Sequence, residues 1–278
     1  MDQTERITIP GAAEGIPALL WGPASDRWII AVHGNFSHKA DRVIALLARR
    51  AAEKGYRTLS FDLPQHGERA GGALPPDPPS CVSDLGAVYE YVRPRAERVA
   101  LFGCSMGAYF GLLAYHGLPL SQSLFLSPVV NMERIIRDMM AAAGVSEERL
   151  RAERLIPVEG GPPLDWDYLD YVRTHPVRFA WESPTSILYG ENDALCVWPE
   201  IAAFSRRYGA EVRVLPGGEH FFHTPGQLSA FDDWAAGALR ESKAAAPGRP
   251  PFLPPRRAPG KKGGRGNRHL LTSSDNAL

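Results

Sequence analysis

Seven short, apolar, β-rich runs constrain this chain most. They are PALLWG, RWIIAVHG, YRTLSFDLP, RVALFGCS, SLFLSPVV, TSILYGEND and EVRVLPGGEH, and segments of helical period separate them from about residue 17 to 240. Near-continuous apolar strands are the mark of strands buried on both faces, and strands that alternate with helices predict βα units and a mostly parallel sheet. Between the runs, Val43, Leu46, Leu47 and Ala51 share one helical face, as do Val82, Leu85, Tyr89 and Val92. Leu228, Phe231, Trp234, Ala235 and Ala238 form a similar stripe in the last helix. The fold class expected is α/β: a doubly wound, mostly parallel sheet flanked by helices.

One connection breaks the rhythm. Residues 131–184 hold NMERIIRDMMAAAG, SEERLRAERLI and LDWDYLDYVRTHP, which read as two or three short helices, with Ser146 as an N-cap and Glu147 and Glu148 in a first turn. In an open parallel sheet such an insertion is expected to fold over the carboxyl ends of the strands, where ligands bind, as a small helical cap. Met132, Ile135, Met139, Trp166 and Tyr168 are its candidate substrate-binding residues. Helix-on-sheet packing explains the same side chains.

Apolar residues make up 44% of the 278, enough for a large core, and formal net charge is zero. Its distribution is uneven. Residues 244–278 carry seven lysines and arginines against one aspartate, so this Pro/Gly/Arg-rich tail is +6 and the rest is −6. Without apolar periodicity the tail is expected to be disordered and to lie outside a domain spanning 1–240. No specific nucleic-acid partner is expected. No run reaches the roughly 18 apolar residues of a membrane span, and the opening MDQTERITIP lacks a secretory layout, so a cytoplasmic protein is expected. Cys81, Cys104 and Cys196 are too few and too widely spaced for a disulfide framework or a CxxC metal site.

Candidate chemistry centres on Ser105, between Gly103 and Gly107 in LFGCSMGAYFG. RVALFGC reads as a strand and MGAYFGLLAYHG as a helix, so the serine falls on the strand-to-helix turn that a nucleophile elbow requires. A serine hydroxyl is a poor nucleophile unless a histidine takes its proton and an acid orients that histidine. Of eight histidines, His220 follows the last strand in LPGGEHFFHTP, with His223 as its competitor. For the acid, YGENDALC offers Glu191 and Asp193, and the turn carries Asp193 past the strand end. The backbone N–H groups of Asn35, after His33-Gly34, and of Met106 are candidate oxyanion donors. His33 and His66 read as loop histidines, and His33, His38, Asp62 and His66 match no metal-ligand spacing. Cys104 reads as core packing.

These features, VHGN, FDLPQHGER, GCSMG, YGENDALC and GGEHFF, resemble the α/β-hydrolase superfamily over residues 15 to 240. More narrowly the chain is similar to capped serine hydrolases of the monoacylglycerol-lipase and serine-aminopeptidase-like kind. The resemblance implies Ser105 as nucleophile, Asp193 as acid, His220 as base, and Asn35 and Met106 as oxyanion donors. It implies a small-molecule carboxylic ester as substrate, cleaved through an acyl-enzyme without metal or organic cofactor. Thioesterase, amidase or carbon–carbon bond hydrolase chemistry uses the same machinery, and a non-catalytic ligand receptor uses the same fold.

Overall fold

A computed structural model describes residues 4–11 and 13–240. The tail at 244–278 lies outside the described residues. Eight strands form one sheet, β1 (Thr4–Pro10), β2 (Gly15–Trp21), β3 (Arg27–Val32), β4 (Arg57–Phe61), β5 (Arg98–Cys104), β6 (Ser123–Leu126), β9 (Thr185–Gly190) and β10 (Glu211–Leu215), in the order β1-β2-β4-β3-β5-β6-β9-β10. All seven expected strands are present. From β4 to β10 every neighbouring pair is parallel, while β2 runs antiparallel to both β1 and β4. β1 is the strand that the apolar runs did not announce. It is an edge strand with one fully buried side chain, Ile9, so its sequence TERITIP carries little apolar signal.

Alternation along the central strands sorts the core onto two faces. Ile29, Ala31, Ala100, Phe102, Leu124 and Leu126 pack against helices α1 (Arg42–Glu53) and α8 (Pro225–Ala238). Their neighbours Ile30, Val32, Leu101, Phe125 and Ile187 face the opposite way, toward α2 (Pro78–Val92), α3 (Met106–Tyr115) and α7 (Trp198–Tyr208). Burial of α1 follows the expected stripe, except that Ile44 and Ala48 are buried where Leu46 is half-exposed. In α2 the buried stripe takes in Cys81, Asp84 and Val88 and leaves Val82 half-buried.

Residues 131–184 contribute α4 (Met132–Ala142), α5 (Glu147–Glu153) and α6 (Trp166–Thr174). Ser146 caps α5 by accepting from the Arg149 amide. Two strands not anticipated, β7 (Leu155–Ile156) and β8 (Leu164–Asp165), pair as a short antiparallel bridge between α5 and α6. Met132, Ile135, Ile136, Leu150, Leu169 and Val172 join the core that contains α2 and α3, which anchors the insertion on that face of the sheet. No helix among the described residues is long and apolar enough to cross a membrane.

The chain passes from β3 to β4 on one side, then returns past β3 to build β5 and β6 on the other. This reversal makes the space beyond the carboxyl ends of β3 and β5 a topological switch point, where open α/β sheets place ligands.

Candidate active site

Ser105 stands at that point, between the end of β5 and the start of α3, with φ 50° and ψ −117°. A non-glycine residue at positive φ is strained, and three backbone hydrogen bonds hold it there. Its amide donates to the Leu126 carbonyl (2.9 Å), and its carbonyl accepts from Ala108 and Val129 (both 3.1 Å). Close approach explains the flanking glycines. A Cβ on Gly103 would sit 2.5 Å from the Ala108 Cα, and one on Gly107 would sit 2.4 Å from the His33 carbonyl oxygen.

His220 follows β10 on a loop, and its Nε2 lies 2.8 Å from Ser105 Oγ. His220 Nδ1 lies 2.8 Å from Asp193 Oδ2. Asp193 is buried, with its side chain wholly shielded from solvent. Its other oxygen, Oδ1, accepts from the Leu195 amide (3.0 Å) and the Cys196 amide (2.8 Å). The carboxylate is thereby aimed, since only Oδ2 faces the histidine. Acid and base loops are stitched together, because Asn192 donates to the Gly218 carbonyl (2.7 Å) and Glu191 to that of Leu215 (3.0 Å).

The competing residues lie elsewhere. His223 is exposed, with its Nδ1 on the Phe221 carbonyl, and Glu191 is an exposed turn residue whose side chain accepts from the Gly217 amide. His33 is buried, and burial is the main cause that lowers its pKa to about 4. Its Nδ1 donates to the Gly34 carbonyl and its Nε2 accepts from the Leu63 amide, so it is a neutral imidazole joining two loops. Both oxygens of Asp62 are taken by Lys39 and the Glu68 amide. The set His33, His38, Asp62 and His66 therefore has no free ligand atoms on His33 or Asp62.

Gly34 lies against Ser105, where an added Cβ would be 3.3 Å from the serine Cβ. Asn35 begins the turn there, and its side-chain amide contacts His66 Nε2 (3.1 Å). Met106 is the first residue of α3, and no side chain caps that helix, so its leading amides have no side-chain acceptor. Cys104 packs with the face of the sheet that carries α1 and α8, and burial pushes its thiol pKa up to about 12.

The expected substrate-binding residues are packed more deeply than a pocket wall would be. Met132 and Ile135 are buried, and Met139, Trp166 and Tyr168 lie half-buried against the same core. A cavity of about 240 Å³ is bounded by Tyr109, Met132, Val172, Glu200, Phe204 and Tyr208 among others. Of the expected five it includes Met132 alone, and it includes none of Ser105, Asp193 and His220. Exposed apolar side chains instead adjoin these residues along the chain: Phe36 follows Asn35, Phe221 follows His220, and Leu195 lies two residues after Asp193. Leu195 and Cys196 also went unannounced as the amides that hold Asp193. The signal was the aspartate itself, since Asp in a turn accepts from amides two and three residues on.

The model of the alpha/beta hydrolase family matches residues 29–236. No curated protein matches the sequence. Among solved structures, Est1E from Butyrivibrio proteoclasticus with ferulic acid bound is similar at 20% identity and TM-score 0.72, covering 84% of this chain and 97% of that one. The Pyrococcus furiosus esterase Pf2001 is similar at 18% identity and TM-score 0.61, covering 85% and 88%. Mouse alpha/beta hydrolase domain-containing protein 10 aligns at 12% identity and TM-score 0.68, covering 84% and 98%.

Proposed function

The chain belongs to the alpha/beta hydrolase family, and on that premise we propose that it is a serine hydrolase that cleaves a carboxylic ester through an acyl-enzyme on Ser105. The observation that carries this reading is the continuous relay from Ser105 Oγ to His220 Nε2 and from His220 Nδ1 to Asp193, each step 2.8 Å.

In the reaction, His220 Nε2 takes the Ser105 proton as Oγ attacks the acyl carbon. Asp193 keeps the proton of the neutral imidazole on Nδ1, which leaves the Nε2 lone pair free, and then stabilises the imidazolium. The oxyanion is held by the Met106 and Asn35 N–H groups, each contributing on the order of 3 kcal/mol to the transition state. His220 returns its proton to the departing alkoxide, then deprotonates a water that attacks the acyl-enzyme. Collapse of the second tetrahedral intermediate frees the acid and restores Ser105.

For the substrate, an apolar or aromatic acyl group is favoured by the exposed Phe36 and Phe221, each one residue from a member of this machinery. Ferulic acid, the ligand of Est1E, is an aromatic carboxylic acid of the kind an ester hydrolysis releases. The insertion at 131–184 acts as the cap in this reading, with Met139, Trp166 and Tyr168 its half-buried aromatic and thioether groups.

The test is turnover of a p-nitrophenyl ester series from acetyl to palmitoyl, with a hydroxycinnamate ester alongside, by wild type and Ser105→Ala. Multiple turnovers that vanish in the variant are expected. A folded wild type that turns over none of these esters would remove the esterase reading.

A further inference from the structure

Asp193, Cys196 and His220 each present one ligand atom, and these atoms lie within 4.8 Å of one another. Asp193 Oδ1 is occupied by two amides, which leaves Oδ2 beside His220 Nδ1. Cys196 is buried, and its sulfur makes only a weak contact with the Ser127 carbonyl at 3.6 Å. Carboxylate, imidazole and thiol together make a donor set suited to zinc and its softer relatives.

We propose that these three residues form a site for a thiophilic divalent cation, Zn²⁺ or Cd²⁺, whose binding switches off His220 as a base. The binding itself is independent of the serine-hydrolase reading; its effect on turnover rests on that reading. Zinc–ligand bonds of about 2.0 Å to nitrogen and oxygen and about 2.3 Å to sulfur place tetrahedral ligand atoms roughly 3.3 to 3.5 Å apart. The 2.8 Å contact between His220 and Asp193 must therefore open by about half an ångström to admit the cation.

Charge and protons balance without any redox step. The cation gains bonds to Oδ2, Sγ and Nδ1, with water in the fourth position, and its two positive charges are met by one carboxylate and one thiolate. The Cys196 proton leaves to solvent. The His220 proton leaves Nδ1 and one is taken up on Nε2, so the imidazole stays neutral in its other tautomer. Nε2 then presents N–H to Ser105 Oγ, and the lone pair that would accept the serine proton is gone. Entry is from the His220 side, since 22% of that side chain is exposed and none of Asp193.

The experiment is a Cd²⁺ titration of the full chain, read by the ultraviolet thiolate-to-cadmium charge-transfer band, in wild type, Ser105→Ala, Cys196→Ser and Cys196→Ala, each checked for folding by its melting transition. Wild type and Ser105→Ala are expected to develop the band at one equivalent, and both Cys196 variants to lose it although Cys81 and Cys104 remain. In parallel, Zn²⁺ should inhibit wild-type ester turnover, reversibly with chelator, at a concentration at least about tenfold below that needed for Cys196→Ser. No band, or an equal band in the folded Cys196 variants, overturns the site. A band in a wild type that hydrolyses no ester supports the site and overturns the esterase reading.

Discussion

The Nε2 of His33 lies 3.1 Å from the Leu63 amide nitrogen, so a buried imidazole at the end of β3 holds the loop that follows β4. Burial keeps this ring neutral and lowers its pKa from 6.5 to about 4. An unfolded chain takes up the proton near pH 6.5 and the native one does not until about pH 4. Stability from this group is therefore complete above pH 6.5 and falls as pH drops toward 4, by about 3 kcal/mol in all. Asp84, whose pKa is raised by burial, runs the opposite way, and Asp62, whose pKa is lowered on balance, acts only at lower pH. Urea midpoints of wild type and His33→Gln from pH 7 to 4.5 separate the histidine: their difference should shrink as pH falls, and a constant difference would refute the assignment.

Gly107→Ala should destabilise the fold directly. The new methyl would meet the Val32 and His33 carbonyl oxygens at 2.5 and 2.4 Å, backbone atoms that cannot rotate away. A cost of about 3 kcal/mol is expected, visible as a melting temperature lower by several degrees, whereas Gly237→Ala, with open space around its Cα, should leave it within a degree or so.

Asp193→Asn should fold well yet turn over poorly. Its oxygen can still accept from the Leu195 and Cys196 amides, so the loop keeps its shape. The amide group then faces His220 Nδ1 as a donor, which forces the ring proton onto Nε2. A fall in kcat of about 10³ to 10⁴ with near-native melting is expected, and activity within tenfold of wild type would show that Asp193 does not set the tautomer.

Arg69 and Asp84 form an ion pair in which each side chain is 3% exposed. Arg69 also donates to the Asp62 carbonyl and to Glu14. Replacing it with methionine strands a carboxylate in the core, at a cost of about 3 to 5 kcal/mol. Chemical denaturation of Arg69→Met should report that loss, and adding Asp84→Leu should recover most of it, since the second change removes the uncompensated charge.

Phe36→Ala and Phe221→Ala should raise KM for long-chain and aromatic esters several-fold while leaving acetyl esters little changed, because a side chain that contacts only the extended acyl group cannot affect a two-carbon one. Uniform losses across chain length would instead place these rings in support of the loops.

The sequence by itself determined the parallel sheet and the placing of Ser105 on a strand-to-helix turn, because both are written locally. Buried parallel strands must be apolar over four or more successive residues, as in RWIIAV and RVALF, and a serine on a tight strand-to-helix turn needs small neighbours such as Gly103 and Gly107. β1 escaped because one buried residue on an edge strand leaves almost no period to read, and its place is set by pairing with β2. Only the tertiary structure shows that His220, and not His223 three positions on, contacts Ser105 and Asp193, since that depends on which ring the acid loop meets. It also decided that Met132 and Ile135 are core, and that Cys196 lies beside Asp193 and His220. Apolar character drives a side chain out of water but does not say whether packing or a ligand will cover it. That distinction, like the approach of residues 24 or more positions apart, arises only when distant segments share one space.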